Sequence, residues 1–193
     1  MTIEERRARD RAARRRLIVA TARRLAETEG WDAVTTRRLA TEIEYSQPVL
    51  YKHFSGMDEI TQSVALDGFG ELAAVLSEAR TGAENSKNAL RRIAHVYIDF
   101  ARDNPALYDA MFTRATTLKF ADAGTPPQLS AAFAGLPEAV VPIAGDRDVD
   151  TLTEVLWAAL HGLTALARSG RLRGGLDIDR VDLLADQFAA TLR

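Results

Sequence analysis

The stretch from Thr35 to Phe54, TTRRLATEIEYSQPVLYKHF, constrains this chain more than any other, because it spells two short apolar-striped helices meeting at a turn. Thr35 is a good N-cap, its hydroxyl able to accept from a backbone N–H that the first turn leaves unpaired. Leu39, Ala40 and Ile43 then recur at helical spacing and form a buried stripe. Ser46 reads as a second cap, and Pro48 fits the first turn of a helix because the N–H it lacks has no intrahelical partner there. The pattern predicts a second helix from about Gln47 to Phe54, anchored on the first by Leu50 and Phe54. Gln47, Val49, Tyr51, Lys52 and His53 are left facing away from that anchor or along its flank, and such a face suits a DNA major groove. A Gln can bond base edges bidentately, Val49 or the Pro48 ring can touch a thymine methyl, and Tyr51, Lys52 and His53 can reach phosphate oxygens. The plainer reading of the same residues is a polar helix face behind a Pro turn.

The run TTRRLA followed by SQPVLYKHF resembles the TetR family of bacterial transcriptional regulators, in which helix one supports the reader and helices two and three form it. The likeness extends upstream from Arg16 to Trp31 and downstream from Asp58 to Val64, covering roughly the first seventy residues. It implies DNA contacts at Thr36, Arg37, Gln47, Pro48, Val49, Tyr51, Lys52 and His53, with Arg37 the best candidate for a bidentate guanine contact. Two positions depart from the family pattern. Where the family has Gly between the reader helices, in a left-handed backbone conformation, this chain has Glu44, at a cost of about 1 kcal/mol and with a negative charge close to DNA. Its turn is therefore expected to differ from the family's. Met57 stands where the family favours a phosphate-contacting Lys at the start of helix four.

Charge is unevenly spread. The whole chain is almost neutral at net -2, yet residues 1–56 carry 12 Arg or Lys against 8 Asp or Glu, whereas residues 57–193 carry 13 against 19. A basic head on an acidic body is what a module needs when only one end meets phosphates. Arg6, Arg7, Arg9, Arg11, Arg14, Arg15 and Arg16 precede the first apolar turn. As a flexible arm or frayed helix they could follow the DNA backbone or enter a minor groove; as a solvated tail they would only aid solubility.

The length allows a small reader and one larger helical domain, and the helical periodicity together with the family resemblance implies an all-α chain of about nine helices, with a DNA-binding domain over 12–72, its helix-turn-helix at about 35–54, and a helical regulatory and dimerisation domain over 73–193. Ile60, Val64, Gly68, Leu72 and Leu76 mark a connecting helix from about Asp58 to Ala79, and Ser86 is the expected cap of the next. Asn104 and Pro105 read as cap and first residue of a short helix. Four of the six prolines fall between Ala121 and Asp150, where a helical period persists, so one kinked helix or two short ones are expected. Asp150 or Thr151 opens a helix apolar nearly all round, which needs cover on both sides. Its residues Val155, Ala159 and Leu163, with Leu184 and Phe188 of the terminal helix, are candidates for a homodimer interface that would set two readers one DNA turn apart on a palindromic operator.

The segments NPALYDAMF and WAALHGL resemble the C-terminal domain of the TetR subgroup named for its Trp-His-Gly element, which implies a small-molecule sensor. Tyr97, Phe100, Tyr108, Met111, Phe112, Phe133, Trp157 and His161 are its candidate ligand-lining residues, for a small apolar or aromatic ligand; ordinary core packing competes for each of them. Cysteine is absent, and His53, His95 and His161 have no metal-like spacing, so neither cofactor nor metal is expected. No run of apolar residues reaches membrane-spanning length, and a cytoplasmic location is the expectation. The sequence thus points to a ligand-responsive homodimeric repressor rather than an enzyme. A constitutive DNA-binding regulator without a ligand is the alternative, and a small helical enzyme the remaining one.

Overall fold

The computed structural model describes residues 2–114, 118 and 125–190, apart from the side chain of Phe133. Among these residues the chain is all-helical, with α1 at Ile3–Glu29, α2 at Thr36–Glu42, α3 at Gln47–Tyr51, α4 at Met57–Thr81, α5 at Ser86–Asp103, α6 at Pro105–Asp109, α7 at Pro127–Ala144, α8 at Val149–Arg168 and α9 at Asp177–Ala189. A 3-10 turn follows α1 at Trp31–Ala33, and a π-helical turn continues α6 over Ala110–Arg114. No helix among the described residues is long and apolar enough to cross a membrane. The chain divides into two compact units, one of residues 1–68 and 104–119, the other of residues 69–103 and 120–193. The expected boundary after residue 72 falls inside α4, whose residues are shared between the units.

In the first unit the Arg-rich start is neither an arm nor frayed. Thr2 and Glu5 form a reciprocal capping box, and the helix runs unbroken from Ile3 through the arginines to Glu29. Ala and Arg are strong helix formers, which explains why the segment stays helical before Ile18 begins the buried stripe of Ile18, Ala22 and Leu25. The short α6 is held by long-range contacts rather than by its own sequence. Asn104 occupies its N-cap position, but no side-chain capping bond forms there; its Oδ1 accepts instead from Arg23 Nη2 at 2.9 Å. The cap comes from α1, where the Glu27 carboxylate accepts from the backbone N–H groups of Ala106 at 3.1 Å and Leu107 at 2.9 Å. A carboxylate at this end also complements the helix dipole. Trp31 Nε1 donates to the carbonyl of Ala106 at 2.9 Å. Gly68 lets this segment come close to α4, since a Cβ there would lie 2.8 Å from both Leu107 Cδ1 and Met111 Sδ.

In the second unit, α5 packs on α7, α8 and α9, and α7 packs on α8. Residues 127–144 form one helix with Pro137 and Pro142 inside it. The expected caps shift by one or two residues. Asn85 Oδ1, not Ser86, accepts at the start of α5, and Asp148 accepts from Thr151 N at 2.8 Å to open α8. The buried stripe of α8 runs through Thr153, Leu156, Leu160 and Thr164, at helical spacing, and includes two polar residues. Both threonines satisfy their hydroxyls one turn back, on the carbonyls of Val149 at 2.7 Å and Leu160 at 3.0 Å, so they cost little on burial. Arg91 lies 2.7 Å from Asp186 and 3.3 Å from Asp182, and His95 Nε2 lies 2.7 Å from the same Asp182, tying α5 to α9.

Replacing Glu27 with Ala removes both carboxylate acceptors of the α6 backbone N–H groups and is expected to lower the unfolding free energy by about 1–2 kcal/mol in a urea titration. Glu27→Gln retains one neutral acceptor and is expected to lose less than half of that; an alanine variant as stable as the parent would overturn this account of α6.

Candidate nucleic-acid interface

Thr35 caps α2 as its sequence suggests, accepting from Arg38 N at 3.1 Å. Leu39, Ala40 and Ile43 are buried, and Leu50 and Phe54 are almost wholly so, which locks α3 to the rest of its unit by one face. Ser46 stands at the N-cap of α3 without a side-chain capping bond, and Pro48 lies in the first turn. The helix ends at Tyr51, earlier than the expected Phe54, because its last turn tightens. Lys52 N bonds Val49 O and His53 N bonds Leu50 O, three residues back, while Phe54 N still reaches Leu50 O at 3.1 Å. The chain therefore turns through 52–54 and still buries Phe54 on the same side as Leu50.

The turn between α2 and α3 is made by Glu44, whose φ of 56° is the sole positive value at a non-glycine residue among those described. Its N–H donates to Thr41 O and that of Tyr45 to Ala40 O, so the left-handed residue closes the end of α2 as a glycine would. The turn expected to differ from the family's is instead formed with Glu44 in the left-handed conformation, and Glu44 itself carries the strain.

Arg15 of α1 is the main cross-brace under α3. Its guanidinium lies 4.0 Å from the centroid of the Phe54 ring, donates through Nη1 to the His53 carbonyl, and pairs through Nη2 with Glu59 at 3.0 Å. Glu59 in turn accepts from Ser55 N at 2.7 Å and Ser55 Oγ at 3.0 Å, fixing the approach to α4. These bonds, the one from Ser55 N foremost, hold the Glu59 carboxyl below its ordinary pKa. In the sequence Arg15 is one of the basic run, and nothing in spacing alone separates it from Arg14 or Arg16.

Of the expected DNA-contacting residues, Arg37, Gln47, Pro48, Tyr51 and Lys52 are exposed and Thr36, Val49 and His53 are half-buried. Tyr51 is a large aromatic with 52% of its surface open. Arg37 and Arg38 differ sharply although adjacent. Arg38 pairs with Glu29 at 3.1 Å and Glu42 at 3.0 Å, whereas Arg37 points no charge at a carboxylate among the described residues. His53 is held below its usual pKa, first by burial and then by Arg14, Arg15, Arg11 and Lys52. Met57 opens α4, half-buried.

The candidate ligand residues are divided between the units. In the first, Tyr108 and Met111 are buried, and the Tyr108 and Phe112 rings lie 4.6 Å apart. In the second, Tyr97 and Phe100 are buried, Trp157 Nε1 donates to the Tyr97 hydroxyl at 3.1 Å, and the Trp157 and His161 rings are 6.4 Å apart. His161 is held below its usual pKa by burial and by Arg168. Phe133 falls in α7, its side chain outside the described residues. Among the candidate dimer residues, Val155 is 53% exposed, and Ala159, Leu163, Leu184 and Phe188 are half-buried. Val155 and Phe188 border a shared open groove of about 420 Å³.

A family model described as bacterial regulatory proteins, tetR family, matches residues 18–64, and one described as a tetracyclin repressor-like C-terminal domain matches residues 90–192. The HTH-type transcriptional regulator Rv0681 of Mycobacterium tuberculosis is 28% identical over 161 residues, which cover 80% of this chain and 70% of that one. The structure of a protein with unknown function from Rhodococcus sp. RHA1 superposes with a TM-score of 0.76 at 26% identity, over 91% of this chain and 93% of that one. FadR of Bacillus subtilis, solved in complex with stearoyl-CoA, shares the fold alone, with a TM-score of 0.68 at 10% identity, over 92% of this chain and 98% of that one.

Two outcomes follow from the site. Glu44→Gly relieves the left-handed strain and is expected to raise stability by about 0.5–1 kcal/mol after the entropy of the unfolded glycine is counted, read as a shift of the denaturation midpoint without a change of slope. Both His53 and His161 have folded pKa values below 6.5. The unfolded chain therefore binds their protons more readily, and their contribution to stability is complete above the unfolded pKa and lost as the pH falls below it. Tm is expected to decline between about pH 7.5 and about pH 5.5, and the double variant His53→Gln/His161→Gln to decline less; parallel curves would sink this assignment.

Proposed function

This chain belongs to the TetR family of transcriptional regulators, and from that premise we propose that it is a homodimeric repressor that binds a palindromic operator and is released from it by a small molecule. The observation that carries the reading is the outer face of α3. Gln47, Pro48 and Tyr51 on α3 and Lys52 just after it stand exposed, while Leu50 and, beyond the helix, Phe54 seal the other side, with the uncommitted Arg37 on α2. With α3 in a major groove, Gln47 and Arg37 bond base edges, Pro48 and Val49 meet thymine methyls, and Thr36, Tyr51, Lys52 and His53 contact the backbone. A single five-residue helix reads few base pairs, so a useful site needs two readers, set about 34 Å apart by two-fold symmetry. The apolar residues that remain open on α8 and α9, Val155, Leu163, Leu184 and Phe188 among them, support an isologous interface.

For release, a ligand held among the aromatic side chains of the second unit shifts α4, the helix both units share, and changes the separation of the two readers. A coupling of about 1–3 kcal/mol suffices. Stearoyl-CoA is a reasonable first probe, since the structurally similar FadR of Bacillus subtilis is solved in complex with it. The Trp157–Tyr97 hydrogen bond favours a second reading, a regulator without a ligand, because a pair that satisfies its own polar tips is what closed packing requires.

Selection from a random duplex pool is expected to return a palindrome. Arg37→Ala should relax preference at one base position by about 1–3 kcal/mol, whereas Tyr51→Phe should weaken all duplexes alike. Recovery of no enriched sequence would refute the operator reading, and saturation with a ligand that leaves operator affinity unchanged would refute release.

A further inference from the structure

The first four turns of α1 make no contribution to the buried stripe, which begins at Ile18, yet they are helical and densely cationic. Their helical phase sorts the arginines. Arg7, Arg11 and Arg14 fall at i, i+4 and i+7 and share one face, where with Lys52 and His53 they line an open cleft of about 560 Å³. Arg6, Arg9 and Arg16 do not line it. Asp10 is the one acidic residue of the lining, and Arg9 lies 4.0 Å from it. Among the described residues Arg7, Arg11, Arg14 and Lys52 form no ion pair, in contrast to Arg15, Arg24 and Arg38, which each meet a carboxylate.

Such a row is costly to leave as it is. Like charges one turn apart repel, and those beside His53 already disfavour its protonated form. His53 Nδ1 is buried with no hydrogen-bond partner. A cleft with four unpaired cations has the chemistry of an anion site, and its position beside α3 selects which anion. We infer that this cleft is a second DNA contact, in which Arg7, Arg11 and Arg14 of α1, with Lys52 and His53 beyond α3, hold backbone phosphates of the strand flanking the groove that α3 enters. The inference rests on the operator reading above and extends it by a contact outside the helix-turn-helix. The row rises about 10 Å along α1, enough to follow a strand for about three base pairs. Being a helix rather than an arm, it lies along phosphates instead of entering a minor groove. Since phosphates carry no sequence, it adds affinity and leaves base choice to α2 and α3.

The test compares two charge-matched variants of the full chain, Arg7→Gln/Arg11→Gln/Arg14→Gln and Arg6→Gln/Arg9→Gln/Arg16→Gln, on the selected operator across a salt series. All six residues are exposed, and circular dichroism checks that both variants remain helical; Arg11→Gln alone serves if the cleft triple does not. The cleft triple is expected to reduce the slope of log affinity against log salt by about 1–2 more than the control triple, with the ranking of operator sequences unchanged. Ethylation of flanking phosphates should interfere with the parent and the control but not with the cleft triple. Equal slopes in the two triples would overturn the cleft and leave a general basic field, while the operator reading stands. Failure of the parent to prefer any sequence would overturn the operator reading, and the slopes on unselected duplex would still decide the cleft. Inorganic phosphate that competes as strongly at the same ionic strength would mean that the cleft takes a free anion instead.

Discussion

A helix of five residues has no stability of its own, so everything this protein does through α3 depends on what clamps it from outside. The clamp is a small cluster. Leu50 and Phe54 supply burial, and Arg15 lies over the Phe54 ring while its two nitrogens reach the His53 carbonyl and Glu59. Glu59 then holds Ser55 through its backbone and hydroxyl, which sets where the chain leaves α3 and enters α4. The exposed side chains beyond the clamp are free for recognition because none of them is needed to hold the helix in place.

The same device recurs at α6. Another five-residue helix is capped, not by the Asn that precedes it, but by a Glu that lies 79 residues away in the sequence. Short helices in this chain are thus tertiary objects, fixed by side chains of α1, and α1 serves as their common support. In the second unit the helices are long enough to bury their own stripes. There the polar contacts, such as Arg91 with Asp182 and Asp186, are half-exposed and set register between α5 and α9 more than they add stability.

Charge in the first unit is divided by pairing rather than by residue type. Arg15, Arg24 and Arg38 are committed to Glu59, Glu42 and Glu29, and so are structural. Arg6, Arg7, Arg11, Arg14, Arg16, Arg37 and Lys52 lack carboxylate partners among the described residues, and these are the cations open to a polyanion; of them Arg7, Arg11, Arg14 and Lys52 line the cleft beside α3. A count of basic residues could not have made that division, since Arg37 and Arg38 sit side by side with opposite fates.

Local chemistry was readable in the sequence. The Thr35 cap and the Leu39, Ala40, Ile43, Leu50 and Phe54 anchors depend on residues within a few positions of one another, where periodicity decides the outcome, whereas the left-handed position at Glu44 is implied only by the family likeness. The family likeness rested on that same stretch. The structure alone decided that the arginine run is a capped helix, that Arg15 braces α3, that Glu27 caps α6, and that two threonines complete the core of α8. Each of these turns on which side chain of a distant segment arrives beside a given backbone or charge. The hydrophobic pattern fixes which face of a helix is buried, but a hydrogen bond or ion pair across 40 or 80 residues depends on helix packing, and no local signal in the chain encodes it.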